Sequence, residues 1–261
     1  MTSETSQSAA SGSAVWTDEN LHQPHEVADK ARRVEAMFAA IAPSYDLNNR
    51  LHSLGRDQAW RRAAVRAADV RSSDVVLDVA CGTGDLTMAF AQGKTTPARV
   101  MGVDFTYNML TIARDKARQA KRDVPLSYQL GDAMSLPVAD ASVDVVSIAF
   151  GIRNVARPQM AMQEFYRVLR PGGRLIVLEF SLPSNPMLLA MYNFYFRHIM
   201  PRTAALIARD YSGAYRYLPK SVNTFIGRQQ MLEMMQHTGF TQTSCQPLTM
   251  GIAVIYRGIK V

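Results

Sequence analysis

Residues 75–86 read Val-Val-Leu-Asp-Val-Ala-Cys-Gly-Thr-Gly-Asp-Leu, a pattern typical of a buried strand that turns sharply into a helix. The apolar run up to Val79 suits a parallel strand that is covered on both faces. Gly82 and Gly84 permit a tight turn and let the backbone approach a ligand closely. The stretch therefore predicts a nucleotide-like ligand at the carboxyl end of this strand.

A second apolar run, residues 100–104, ends in a carboxylate twenty residues beyond Gly84. An acidic side chain at that place in a strand–helix–strand unit is suited to the hydroxyl groups of a ribose. Asp104 is therefore the candidate ribose ligand, and Asp78, which closes the first strand, is a second acidic candidate. An ordinary turn with acidic helix caps is the alternative explanation.

The glycine spacing argues against a dinucleotide. The fingerprint G-x-G-x-x-G is incomplete, because Asp85 and Thr87 stand where the third glycine would be needed. Asp85 also begins the following helix, where its charge would repel a phosphate. These features favour S-adenosylmethionine, which has no phosphate and carries a sulfonium, an amino group and a ribose diol. An NAD-dependent oxidoreductase is disfavoured.

Strand and helix patterns alternate from residue 74 to residue 180, which predicts an α/β fold with a doubly wound, mostly parallel sheet. The expected strands are 74–79, 99–104, 126–131, 143–150 and 173–180, and the expected helices between them are 86–92, 109–120 and 159–169. A turn over residues 170–173, Arg-Pro-Gly-Gly, is expected to end the last of these helices with a glycine in the left-handed conformation. Two later strands, 240–247 and 251–258, are expected to form an antiparallel hairpin at the sheet edge.

We expect a disordered tail over residues 1–24 and one domain over residues 25–261. The parts of that domain are N-terminal helices (25–70), a cofactor-binding core (71–180), a helical substrate cap (181–222) and a C-terminal helix with the hairpin (223–261). Within the first part, a turn region is expected between a helix that stops before Pro43 and a second helix over residues 58–68. The segment 187–200 is apolar on nearly all helical faces, so it is either a buried helix or a surface for an isoprenoid tail or a bilayer, with Arg197, Arg202 and Arg209 facing anionic headgroups.

The amino-acid composition limits which kinds of binding partner are expected for this protein. The net charge is +7 and the sequence pI is about 9.6, but no basic module interleaved with aromatic residues is present, so nucleic acid is not an expected partner. Cys81 and Cys245 lack the spacing of metal ligands, which predicts no metal site and a reducing compartment.

With no secretory signal and no run of 18 apolar residues, we expect a cytoplasmic protein. Contact with the inner face of the membrane and homo-oligomerisation stay open.

Several separated motifs resemble those of the ubiquinone/menaquinone biosynthesis C-methyltransferases, the UbiE or MenG family, over roughly residues 33–260. The motifs are Phe38-x-x-Ile41-Ala-x-x-Tyr45-Asp46-x-x-Asn49, the turn Asp78-x-Ala80-x-Gly82-Thr83-Gly84-Asp85, Phe150-Gly-Ile-Arg153-Asn154-Val155, Arg167-Val-Leu-Arg-Pro-Gly-Gly-Arg-Leu-x-Val-Leu-Glu179-Phe180, and Tyr215-Arg216-Tyr217-Leu218-x-x-Ser221.

The resemblance implies a class I S-adenosylmethionine-dependent methyltransferase fold and methyl transfer to a ring carbon of a polyprenylated quinol. Among the possible substrates we favour demethylmenaquinol; the benzoquinol precursor of ubiquinone and another small acceptor are the alternatives. By the same resemblance, Thr83 contacts the methionine end of the donor, Asp104 its ribose, and Asp132 and Ala133 its adenine. Ala149 replaces a serine that is common in the family, so no hydroxyl contact is expected there.

Three residues are candidates for the chemistry. Arg153 follows the fourth strand and could stabilise a phenolate or orient a water; a salt bridge to Asp132 or Asp104 is the alternative. Tyr45 could bind the ring hydroxyl, lie over the methionine end or simply pack. His198 is the candidate general base because its intrinsic pKa is near neutral, with a packed or surface position as the alternative. A polar or RNA acceptor and a non-catalytic binding module are the remaining hypotheses.

Overall fold

The computed structural model describes residues 15–17, 20–120, 123–195, 198 and 213–261, and a seven-stranded sheet lies at its centre. The strands are β1 (Val75–Val79), β2 (Arg99–Asp104), β3 (Leu126–Leu130), β4 (Val143–Ala149), β5 (Leu169–Phe180), β6 (Thr241–Leu248) and β7 (Ala253–Ile259). Their order across the sheet is β3-β2-β1-β4-β5-β7-β6.

Strands β1 to β5 are parallel, and β7 and β6 complete one edge as an antiparallel hairpin. This confirms the predicted α/β fold with its mostly parallel sheet and C-terminal edge hairpin. Strand β1 pairs with β2 on one side and with β4 on the other. The chain therefore reverses its winding direction between β1 and β4, and in such sheets ligands bind beside the carboxyl ends of those two strands.

Helices cover both faces of the sheet. They are α1 (Lys30–Ile41), α2 (Tyr45–His52), α3 (Arg56–Ala68), α4 (Asp85–Ala91), α5 (Tyr107–Gln119), α6 (Pro158–Val168), α7 (Pro186–Phe194), α8 (Ala214–Asn223) and α9 (Arg228–Thr238), with single 3-10 turns at Ala42–Ser44, Ile152–Asn154 and Thr249–Gly251. In β1, Leu77 packs in a cluster with Phe165 of α6, whereas Val76 packs in a second cluster with Trp60 and Phe90 of α3 and α4. Successive strand residues thus face opposite layers, as a doubly covered sheet requires.

Two boundaries differ from the sequence expectation. Residues 45–52 form helix α2, although they were expected to be part of a turn region. Strand β5 begins at Leu169 and contains the expected turn at 170–173, because Leu169 pairs with Val143 and the register shifts before Arg174 pairs with Val145. Gly172 has a φ of +77°, which is the left-handed conformation predicted for this link.

The expectation of disorder up to residue 24 is wrong for the described part of that segment. Trp16 is fully buried and its ring stacks on Tyr217 with a centroid distance of 4.4 Å. Leu21 is buried in the same cluster as Val34 of α1. Residues 1–14, 18 and 19 lie outside the described residues. A single large aromatic side chain therefore ties the start of the described chain to α8 through a long-range contact.

The expected cap is described only in part, because residues 196–197 and 199–212, with Arg197, Arg202 and Arg209, lie outside the described residues. In α7 only Tyr192 is buried, while Met187, Met191 and Phe194 are exposed. The alternative that this segment is a fully buried helix is therefore wrong for α7. Among the described residues, no helix has the length and apolar character needed to cross a bilayer.

Candidate active site

The loops after β1 and β4 lie against each other at the predicted crevice. Ala80 and Phe150, directly beyond the two strands, have φ values of +50° and +57°, a left-handed conformation that is uncommon for residues other than glycine. A Cβ atom on Gly151 would lie 2.7 Å from the Cβ of Ala80, so only glycine permits this approach. Such backbone strain, about 1–3 kcal/mol per residue, is concentrated at functional sites.

A small cavity of about 70 Å³ opens beside these loops. Gly82, Asp104, Asp132 and Ala133, all predicted to bind the cofactor, line it, and so does Tyr45. None of its lining residues, which belong to the described part of the chain, is Lys or Arg. Two acidic side chains and no basic ones make the cavity unsuited to a phosphate and compatible with an uncharged or cationic nucleoside.

Asp104 is held in place by two backbone donors. The amide of Gly82 donates to one carboxylate oxygen at 2.8 Å, and the amide of Thr106 donates to the other at 2.8 Å. Burial raises the pKa of Asp104, although these hydrogen bonds oppose the shift. Since a carboxylate offers about four acceptor positions, each oxygen can still accept a further hydrogen bond. The pair of ribose hydroxyl groups fits this arrangement.

Asp78 lies beneath the glycine turn and does not line the cavity. It is almost fully buried, and it accepts hydrogen bonds from the hydroxyls of Thr87 at 2.7 Å and Ser147 at 2.9 Å. Burial raises the pKa of Asp78 to about 6, against the effect of these two donors. Ionising this carboxyl at neutral pH places a negative charge under the crevice, and no cation of the described residues is hydrogen-bonded to it.

Thr83 and Gly84 also lie outside the lining of the small cavity and serve the turn itself. A Cβ on Gly84 would lie 2.8 Å from the Tyr128 hydroxyl oxygen, and Gly84 has a φ of +81°. The Thr83 hydroxyl donates to Asp46 of α2 at 2.6 Å. Lys116 of α5 bridges Asp46 and Asp85. These contacts hold α2 over the glycine turn.

A larger cavity of about 520 Å³ adjoins the small one. Phe38, Tyr45 and Phe150 line both, so these three side chains form the wall between the two spaces. Tyr45 packs edge-on against Phe38 at a centroid distance of 5.9 Å. The lining of the larger cavity is mostly apolar and includes Trp60, Phe180, Leu188, Met191, Tyr192 and Tyr217.

Arg153 lines the larger cavity and is buried, with 5% of its surface exposed. One guanidinium nitrogen, Nη1, donates to Glu179 at 2.6 Å and to the carbonyl oxygen of Phe150 at 2.6 Å. The alternative of a salt bridge to Asp132 or Asp104 is therefore wrong. Sequence reasoning gave Glu179 no role, although an acidic residue near the end of an apolar strand was the same signal that selected Asp104.

The N-terminal helix supports the Arg153 turn, which sequence reasoning also missed. Lys30 of α1 is buried and donates to the carbonyl oxygens of Arg153 at 2.9 Å and Val155 at 2.7 Å. Burial, with a smaller contribution from the charge of Arg153, lowers the pKa of Lys30 to about 8. Asn154 is fixed in the same turn by a hydrogen bond from the Tyr217 hydroxyl at 3.0 Å.

His198 is exposed and lines neither cavity; its ring lies 5.1 Å from that of Phe194. The structure therefore does not bring the candidate base to Arg153 or Tyr45. Cys81 is buried, and burial together with the nearby carboxylates raises the pKa of its thiol, which suits a packing role in the turn. Among the described residues, no three His, Cys, Asp or Glu side chains are grouped as metal ligands.

Comparison with known proteins places this geometry in a family. The family model described as the ubiE/COQ5 methyltransferase family matches residues 26–260. A demethylmenaquinone methyltransferase of Deinococcus radiodurans is 43% identical over 94% of this chain and 99% of its own length. A ubiquinone/menaquinone biosynthesis C-methyltransferase of Syntrophotalea carbinolica is 46% identical over 86% of this chain and 92% of its own length.

Solved structures agree on the fold. A SAM-dependent methyltransferase of Thermotoga maritima superposes with a TM-score of 0.61, at 20% identity over 87% of this chain and 100% of that one. A Haemonchus contortus phosphoethanolamine N-methyltransferase bound to S-adenosyl-L-methionine has a TM-score of 0.55, at 15% identity over 75% of this chain and 50% of that one. The predicted class I methyltransferase fold and S-adenosylmethionine cofactor are confirmed, and the chain belongs to the ubiE/COQ5 methyltransferase family.

Proposed function

We propose that this enzyme transfers a methyl group from S-adenosylmethionine to a ring carbon of a polyprenylated quinol, with demethylmenaquinol as the substrate. The observation that carries the proposal is the pair of adjoining cavities. One is small, acidic and free of basic lining residues, and the other is large and mostly apolar. The relatives are named for menaquinone and ubiquinone biosynthesis, so the benzoquinol precursor of ubiquinone is the second candidate acceptor.

The residues of the small cavity would hold the methyl donor. Asp104 would accept hydrogen bonds from the ribose hydroxyls, while Asp132 and Ala133 would lie beside the adenine. Gly82 leaves room for the ligand, and Asp78, Thr83 and Gly84 shape the turn and its charge. When bound, S-adenosylmethionine supplies an electrophilic methyl group on a sulfonium. A cavity of about 70 Å³ is smaller than the roughly 300–1,000 Å³ of ligand pockets, so the wall of Tyr45 and Phe38 must shift on binding.

The residues of the larger cavity would activate the ring. A ring carbon becomes nucleophilic when a neighbouring hydroxyl carries negative charge, and a buried cation stabilises that charge as it develops. Arg153 supplies such a cation at every working pH. Its Nε atom makes no hydrogen bond in the described structure, so donors remain for a ring oxygen. Burial raises the pKa of Tyr45, which keeps its hydroxyl protonated and able to donate at the wall between donor and acceptor.

The rim of the larger cavity supports contact with a membrane surface. Leu54, Met191 and Met250 come from three separate segments, line this cavity and are 88%, 63% and 68% exposed. A substrate with a long prenyl tail resides in a bilayer, and apolar side chains at the mouth could enter the interface while the ring reaches the cavity. Arg56 lines the same cavity and is exposed, where it could meet anionic headgroups.

The substrate assignment is tested with a labelled methyl donor and prenylated acceptors. We expect demethylmenaquinol to gain one methyl group by mass, the oxidised quinone to gain none, and the benzoquinol to react more slowly. The reduced ring is required because only a hydroxyl can supply the negative charge that activates the carbon. If no prenylated ring gains a methyl group under reducing conditions, the proposed function is wrong.

Asp78 predicts a pH dependence of donor binding. The pKa of Asp78 in the folded protein is about 6, above the usual 3.8. Ionisation of Asp78 therefore lowers the free energy of unfolding of the ligand-free protein as the pH rises from about 4 to 6. A bound cation stabilises the ionised carboxylate and offsets this loss of stability. Affinity for the donor, measured by calorimetry, should therefore rise up to about tenfold between pH 5 and pH 7. Asp78→Asn should bind more weakly and show a flat profile. Parallel profiles for the two proteins would exclude this role of Asp78.

Arg153→Lys should lower turnover much more than donor affinity. Lysine keeps the charge but loses the planar group that spans Glu179 and the Phe150 carbonyl. We expect kcat to fall by about 100-fold, as when one donor to a developing oxyanion is lost, while the donor Kd changes by less than about threefold. Equal losses in both quantities would instead assign Arg153 to the donor.

Membrane contact is tested by sedimentation with phosphatidylglycerol vesicles. Replacing Leu54 and Met250 together by Ser should weaken vesicle binding by at least about tenfold, because two apolar side chains no longer enter the interface. Leu130→Ser is the matched control, since Leu130 is also exposed but does not line the cavity. Equal vesicle binding by the double variant and the wild type would mean that the rim of the cavity does not contact the membrane.

A further inference from the structure

A second buried arginine faces the larger cavity, apart from the one proposed to activate the ring. Arg61 of α3 is 6% exposed, lines the cavity, and its guanidinium carbon lies 5.5 Å from the centre of the Phe150 ring. Phe150 is one of the three side chains that separate the two cavities. Arg61 therefore stands beside the wall between the donor and acceptor spaces.

Only one of its guanidinium nitrogens is used. Nη1 donates to the Asp57 carboxylate at 3.0 Å and to the Asp57 carbonyl oxygen at 3.3 Å. Nε is buried without a hydrogen-bond partner, and the described residues provide none for Nη2 either. Nε and Nη2 form one edge of the planar group, and two parallel N–H donors on such an edge match the two oxygens of a carboxylate. A buried charged donor left unsatisfied is costly, which points to a ligand.

The two buried arginines of the cavity, Arg61 and Arg153, lie toward different sides of it. Burial raises the pKa of Tyr45, and among the groups that oppose this shift Arg61 has the largest effect. Burial also raises the pKa of Asp85, but the charge of Arg61 and that of Lys116 lower it below its usual value. Arg61 pairs with Asp57, and Asp57 shares Arg50 with Asp85, so Arg61 lies toward the glycine turn.

Arg153, by contrast, lies toward the acceptor side. It pairs with Glu179, and its charge opposes the raised pKa values of Tyr192 and Tyr217, two aromatic residues that line the larger cavity. Neither of these tyrosines lines the small cavity. Of these two buried arginines, Arg61 is therefore nearer the glycine turn and Arg153 is nearer the aromatic lining of the larger cavity.

We propose that the Nε and Nη2 edge of Arg61 binds the carboxylate of the amino-acid tail of S-adenosylmethionine. Among the described residues, the two cavities share Phe38, Tyr45 and Phe150 in their linings, so a tail that extends from a nucleoside at Asp104 across this wall would arrive beside Arg61. A carboxylate is a permanent anion that uses both free nitrogens, whereas a single ring oxygen uses one. The inference rests on the cofactor of the family and is independent of which acceptor is methylated.

The proposal is tested by combining a substitution of Arg61 with removal of the carboxylate from the donor. Calorimetry compares S-adenosylmethionine with decarboxylated S-adenosylmethionine, which lacks only the carboxylate, on the wild type and on Arg61→Met. The wild type should prefer the carboxylated donor by roughly 10- to 100-fold, as expected for charged hydrogen bonds. In Arg61→Met this preference should fall below about threefold. The substitution removes hydrogen bonds that only the carboxylated donor makes, so it weakens binding of that donor and leaves the affinity for the decarboxylated donor nearly unchanged.

Arg50→Met is the matched control. Arg50 also donates to Asp57, at 2.6 Å, but it does not line the larger cavity, so this variant should keep the wild-type preference. Asp57 remains paired in either variant, since Arg50 and Arg61 both bond to it. Arg61→Lys keeps the charge without the two-nitrogen edge and should give an intermediate preference, which tests the proposal even if Arg61→Met does not fold.

Two results would overturn the proposal. In one, Arg61→Met weakens both donors equally, which means that Arg61 supports the fold and not the carboxylate. In the other, the donor preference is unchanged while the KM for the quinol rises, which assigns Arg61 to the ring. Both measurements of donor affinity remain valid if no prenylated quinol is methylated, so failure here is distinct from failure of the proposed function.

Discussion

The contact between the loops after β1 and β4 is the constraint on which the site depends. Because β1 lies between β2 and β4, the chain leaves the two central strands toward opposite faces and opens a crevice. Ala80 and Phe150 hold left-handed backbone conformations there, and Gly151 lets the loops touch. Phe150 is thereby fixed between the cavities, with Arg61 over its ring and its carbonyl oxygen bound by Arg153. Packing of the sheet keeps this strained geometry in place.

Two guanidinium groups within a mostly apolar cavity are costly unless each is neutralised. Arg61 has Asp57 and Arg153 has Glu179, and all four side chains are buried. In each case the carboxylate takes Nη1 and leaves Nε without a partner. The desolvation of such pairs often equals or exceeds their Coulomb attraction, so their value for stability is small. Their presence is better explained by ligand oxygens, which would satisfy the remaining donors.

The features that could be predicted from the sequence are those that depend on the local pattern of residues. Apolar runs and glycines located the strands and the turn, and the end-of-strand rule found Asp104, which the structure places at the small cavity. Features that depend on distant contacts were missed. Trp16 meets Tyr217 across 200 residues, and nothing near Trp16 distinguishes it from a tail. Helix α2 is short and polar, so its position over the glycine turn follows from ion pairs with other elements rather than from periodicity.

Helix α2 and the strand-end loops are held by different kinds of contact. The tie of α2 to α5 is the pair of Lys116 and Asp46, whose side chains are 30% and 32% exposed, so solvent screens it and it contributes at most about 1 kcal/mol. The loops are held by the sheet, with Phe150 hydrogen-bonded through its amide to Leu178 at 2.7 Å. Helix α2 is also joined to α3 and α4 by Arg50, which pairs with the buried carboxylates of Asp57 at 2.6 Å and Asp85 at 3.1 Å. A displacement of α2 that carried Tyr45 away from both cavities would widen the donor space, and it would have to break these pairs as well as the one with Lys116.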